Sequence, residues 1–174
     1  MNWSELIREE MEFAYTVTAR LMDLVNDKEL NWKPSTGTNW MTMGQLLMHV
    51  TSACGASCRG FVTGDWGLPE GMDMSKMSPE DMLPPAEKLP SVKSLTEAKK
   101  LLAEDKGVAL EMLAMAGERG LVERIATAPW DKTERMLGRR ILEMVAHLNS
   151  HKTQLFYYLK LQGKPVNTGH LWGA

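Results

Sequence analysis

Apolar residues recur at helical spacing in four long stretches of this chain, and nowhere does an alternation of period two persist beyond a few residues. Such a chain can bury its apolar faces only by setting helix against helix. Each stretch opens on a start signal. The first runs from Trp3 to about Asn26, with Asn2 as cap and Glu5 placed to return the bond. The second starts at Thr42, with Gln45 at the third helical position, and runs to Gly60 or Gly64. The third starts at Ser94 with Glu97 as its partner and continues to Ala116, before Gly117 and Gly120. The fourth begins between Thr133 and Gly138 and stops at Gly163, with Pro165 two residues beyond. The expected architecture is all-α, a four-helix bundle in one domain over residues 1–174. A chain of 174 residues needs no staples to bury a core. Val122–Ile125 is the one candidate strand.

The connections are unequal. Residues 31–39 form a compact, turn-rich link. Between Gly64 and Lys93 lies a Met-rich stretch punctuated by Pro69, Pro79, Pro84, Pro85 and Pro90. At about thirty residues it exceeds a plain bundle loop, so it either covers the bundle end as a lid or packs along its side or at an interface. Ser78 followed by Pro79 suits one short helical turn over residues 78–83. The 14 methionines read as adaptable core filler or as a binding surface. Trp32, Trp40, Trp66 and Trp130 fall in or beside loops, where large rings seal bundle ends.

Charge and cysteine usage exclude several classes. A net charge of −2 without a dense Lys/Arg run gives no footprint for nucleic acid. No stretch approaches the roughly 18 apolar residues of a membrane span, and the start lacks a signal-peptide pattern, so the expected location is the cytoplasm. Cys54 and Cys58 stand four apart on one expected helix, a poor disulfide geometry. They read as small, reduced, half-buried residues, with a redox or metal role as the alternative.

His147 and His151 lie four apart on the fourth helix and so project from one side, within reach of a common ion. His49 lies on the second. Leu137, Ile141, Val145, Leu148, Leu155 and Leu159 form the core stripe of the fourth helix. Both of its histidines fall on the flank of that stripe, beside Arg140, Gln154 and Tyr158. On the second helix Leu46, Val50, Ala53, Ser57 and Phe61 face the core, and His49 sits on the edge near Gln45, Ala56 and Gly60. Three imidazoles with an open position make a metal site that can accept water and substrate. Interior histidines are also often satisfied by a neighbouring carboxylate or carbonyl, and that reading stands beside the metal. His170 in the tail supplies a fourth ligand, covers the cleft, or belongs to a surface segment anchored by Trp172. Glu143, four before His147, is an outer partner or lies in solvent. No His-Glu-x-x-His motif is present, which removes the support for that protease mechanism.

These residues resemble the DinB/YfiT-like family of four-helix metalloenzymes over nearly the whole chain. The resemblance rests on Trp32-Lys-Pro34, on Thr42-Met-Gly-Gln-Leu-Leu-Met-His49, on His147-Leu-Asn-Ser-His151-Lys-Thr-Gln154, and on Tyr158 through Gly163. It implies that His49, His147 and His151 hold a divalent metal (nickel, zinc or iron). Many members carry Arg-Gly between the last histidine and the glutamine, where this chain has Lys152-Thr153. The resemblance further implies an enzyme acting on a small molecule. The chemistry is hydrolysis by metal-activated water, or transfer or isomerisation using a metal-bound low-molecular-weight thiol. Gln154, Tyr158, Arg140 and His170 are the candidates for orienting substrate or supporting the ligands. The other reading is a non-enzymatic, stress-responsive protein that binds partners as a homodimer, with a structural metal or none. A homodimer is expected under both.

Overall fold

The computed structural model describes residues 2–68, 72, 77–78 and 84–174. Its helices are α1 (Trp3–Met22), α2 (Met43–Val50), α3 (Gly55–Thr63), α4 (Leu95–Glu123), α5 (Leu137–Leu161) and α6 (Thr168–Trp172). The fold is all-α, and the strands among the described residues are a two-residue hairpin pair, β1 (Ile125–Ala126) and β2 (Arg135–Met136), antiparallel with Ile125 opposite Met136. α1 packs against α4 and α5, α3 against both of these, and α2 against α5. The whole expected stripe of α5, from Leu137 to Leu159, is buried, as are Leu46, Val50, Ala53 and Phe61. No described helix is long and apolar enough to cross a membrane.

Caps fix the starts as read from sequence. Asn2 and Glu5 exchange bonds at α1, and Thr42 and Gln45 do so at α2. At α4, Ser94 accepts from the Glu97 amide, but the Glu97 carboxylate turns to the Lys93 amide, so only half of the expected box forms. α5 begins at Leu137 and ends before Gly163, whose φ of 77° is the left-handed turn that glycine tolerates.

Several boundaries differ from expectation. α1 stops at Met22, because Asn26 is used as the cap of a separate short turn over Asp27–Glu29. The second expected helix is two helices, broken at residues 51–54. There the Thr51 hydroxyl donates to the Met48 carbonyl and Ser52 to that of His49, so hydroxyls compete with the helical ladder. The decisive contribution comes from α4, where the Asp105 carboxylate captures the first free amides of α3, those of Gly55 and Ala56, at 2.9 Å each. Gly55 is required for this approach, since a Cβ there would lie 2.1 Å from the Asp105 carbonyl oxygen. At Gly117 the third expected helix kinks instead of ending. Its φ of 61° and ψ of 167° belong to a region reserved for glycine, and helical turns resume to Glu123. The strand expected over Val122–Ile125 retains only Ile125.

The long connection is latched where it returns. Asn39 accepts from the Ala86 amide at 2.8 Å, and the Gln45 amide donates to the carbonyls of Ala86 at 2.7 Å and Leu89 at 2.9 Å. Gln45 lies one turn before His49, so residues 86–89 run across the start of the helix that carries that histidine. The helical turn expected over residues 78–83 lies outside the described residues beyond Ser78, as do residues 69–71, 73–76 and 79–83 of the long connection expected to form a lid, pack along the side or meet an interface.

Candidate metal centre

Where α2 meets the middle of α5, three imidazoles converge. His49 is in the last turn of α2; His147 and His151 are one turn apart on α5. Their Nε2 atoms lie 3.0 Å apart for His49–His151 and 2.9 Å apart for His147–His151. All three rings are half-buried. Burial holds the His49 imidazole down to about 4, with the two neighbouring histidines acting in the same direction. Burial also lowers His151, against a hydrogen bond to Gln154 that favours its charged form. The shifts on His49 and His151 favour the neutral imidazole, the form that binds a metal ion.

The far nitrogens decide what the near ones can do. His147 Nδ1 lies 2.9 Å from the Ala53 carbonyl oxygen, which only accepts, so the proton sits on Nδ1. His151 Nδ1 donates in the same way to Gln154 Oε1 at 3.0 Å. A neutral imidazole carries one N–H. Both Nε2 atoms therefore present lone pairs to each other at 2.9 Å, a contact with no proton to share. A cation between them resolves it. With metal–nitrogen bonds of about 2.0–2.1 Å, two donors on one ion stand at most about 4 Å apart, and both of these separations fall within that span. The residues fit a metal ion, and their outer hydrogen bonds have the pattern that orients histidine ligands.

The sequence profile of the DinB superfamily matches residues 10–155, a span that includes all three histidines. The chain belongs to the DinB superfamily. Among curated proteins and solved structures, none matches it significantly. For this DinB protein the group that could hold a metal ion among the described residues is His49, His147 and His151, with no fourth His, Cys, Asp or Glu joining it.

The other candidates are distributed unequally. Gln154 touches the trio. Tyr158 is buried beyond it, donating to the Met41 carbonyl at 3.0 Å and meeting Trp32 and Trp40 edge-on. Burial raises its phenol, with the Gln154 amide working the other way. Arg140 sits elsewhere, clamping the hairpin through Asp131 at 2.9 Å, Glu143 at 3.0 Å and the Thr133 carbonyl at 2.5 Å. Glu143 is neither an outer partner of His147 nor free in solvent, because Arg139 and Arg140 occupy it. His170 is exposed on α6 and pairs with Asn167. Cys54 and Cys58 are free thiols, fully buried rather than half-buried. Trp66 and Trp130 close one end against Phe61. Sequence reasoning missed the Ala53 carbonyl, a backbone acceptor that no residue type announces.

Proposed function

We propose that this protein is a divalent-metal-dependent enzyme acting on a small-molecule substrate, with His49, His147 and His151 as its ligands. The observation that carries this reading is the unshared 2.9 Å contact between the Nε2 atoms of His147 and His151. A bound divalent ion supplies Lewis acidity that makes a coordinated water or low-molecular-weight thiol a better nucleophile near neutral pH. The chain does the rest. Burial favours neutral His49 and His151, the Ala53 carbonyl and Gln154 fix the two α5 rings, and the histidine-only group leaves positions open for nucleophile and substrate. His170 pairs with Asn167 and does not join this group among the described residues, which favours an open catalytic site over a closed structural one.

The test begins with protein purified without added metal or a histidine tag. It should carry or take up one divalent ion per chain; less than about a tenth of an equivalent, with no uptake on titration, sinks the reading. Loaded protein is then offered activated esters without thiol, and electrophiles with a low-molecular-weight thiol. Metal-dependent turnover in either arm supports an enzyme and assigns its nucleophile. Metal uptake with turnover in neither supports the binding-protein alternative.

A further inference from the structure

On the side of α5 away from the histidines, a cavity of about 210 Å³ opens between α1, α5 and α6. At roughly 100° per residue, Asn149 and Lys152 fall nearly opposite the flank that carries His147 and His151. Phe13 of α1 and Leu171 and Trp172 of α6 form the apolar wall, and Glu10 stands one turn before Phe13. Lys152 is only 4% exposed, yet its ammonium meets ring faces alone. It lies 5.1 Å from the Phe13 centroid and 5.8 Å from that of Trp172. Ring faces attract the charge but leave the three N–H donors of an ammonium without an acceptor. A buried lysine is ordinarily paired; among the described residues this one has no hydrogen bond and no ion pair. The Asn149 side-chain amide and the Glu10 carboxylate line the same cavity and also make neither kind of bond among the described residues. Two opposite charges and an amide thus face one space without meeting.

We propose that this cavity binds a small zwitterion, an amino acid with an apolar side chain, at a site separate from the metal centre. The ligand carboxylate accepts from the Lys152 ammonium and the Asn149 amide, and its amine donates to Glu10. Its side chain lies against Phe13, Leu171 and Trp172. The charges decide the class. A simple anion would satisfy Lys152 but stand beside the Glu10 carboxylate, and a simple cation would face the ammonium. A ligand of both signs meets each with its opposite. The volume sets the size, since drug-sized ligands fill roughly 300–1,000 Å³. Trp172 is 62% exposed, so an occupant that covers its ring also gains apolar burial. Arg20 holds this wall in place from α1, donating to the Gly173 carbonyl at 2.8 Å. The site uses none of the three histidines.

The experiment titrates the full-length protein, as purified, with leucine, phenylalanine, isocaproate and isoamylamine. Calorimetry gives affinity, and proton–nitrogen NMR follows the Trp172 indole N–H, assigned with Trp172→Phe. At least one of the amino acids should move that resonance and bind about tenfold or more tightly than isocaproate or isoamylamine. Lys152→Met keeps an apolar stem without the charge, and should weaken amino-acid binding about 10–100-fold. Glu10→Gln, at an exposed position, should weaken the amino acid while isocaproate binds no more weakly than before. Dissociation constants above about 10 mM for both amino acids overturn the proposal, as does isocaproate or isoamylamine binding as well as they do. An amino acid chelated at the histidine group would persist in Lys152→Met and leave the Trp172 resonance in place; that result also overturns it. If Lys152→Met fails to fold, the opposed responses of amino acid and isocaproate to Glu10→Gln still decide. Metal uptake judges the metal reading separately.

Discussion

Two neighbours on α5, His151 and Leu148, separate the roles that one helix combines. Leu148 is fully buried in the core, and truncation to alanine should cost roughly 2–5 kcal/mol through the cavity it leaves. His151 is half-buried at the edge of that core, so His151→Ala should abolish metal uptake and leave the bundle folded at 25 °C. Denaturant unfolding with metal titration checks both; a His151→Ala chain that unfolds while Leu148→Ala is harmless would contradict this division. Gln154→Ala is subtler. It removes the acceptor that keeps the His151 proton on Nδ1, and metal affinity should drop about 10–100-fold with the ligands intact. Spacing alone put His147, His151 and Gln154 on one flank. The engagement of Arg140 elsewhere was not legible, because its partner Asp131 belongs to a hairpin with almost no sequence pattern of its own.

Among the elements, the hairpin and the α4 kink show how much one residue holds. The Thr133 hydroxyl and amide, together with the Arg140 guanidinium, hold the Asp131 carboxyl well below the usual carboxylate range. A depressed native value means that the clamp stabilises the fold above the unfolded carboxylate value of about 4. The contribution is lost as pH falls below that, through the native value. Acid titration followed by tryptophan fluorescence should find wild type more stable than Asp131→Asn from neutral pH down to about 4, with the two converging below it. Convergence well above that range would show that the ion pair is not the clamp. At Gly117 an alanine would have to adopt a φ of 61° with a ψ of 167°. Open space surrounds the position, so Gly117→Ala should cost about 1–3 kcal/mol through backbone strain alone, read as a lower denaturant midpoint.

Over the whole molecule, the candidate metal centre sits beside the core, and the proposed ion is not expected to be its keystone. Chelation should leave helical circular dichroism at 25 °C unchanged. It should lower the unfolding midpoint only by the binding free energy, about 2.7 kcal/mol for metal at a hundred times its dissociation constant. Collapse on chelation would mean a structural metal. The sequence by itself determined the helical class, the caps of α1 and α2, the buried stripe of α5, and the placement of three histidines on two core-edge faces. Periodicity and capping are local, and a helix turns spacing directly into direction. Tertiary structure alone decided that α2 breaks from α3, because the break is stabilised by Asp105, fifty residues beyond Gly55. It also decided that Ala53 turns its carbonyl to His147 and that Gln45 latches the returning connection. Those contacts join backbone groups to side chains far along the chain. Every residue offers the same backbone carbonyl and, proline excepted, the same amide, so only the folded arrangement could select among them.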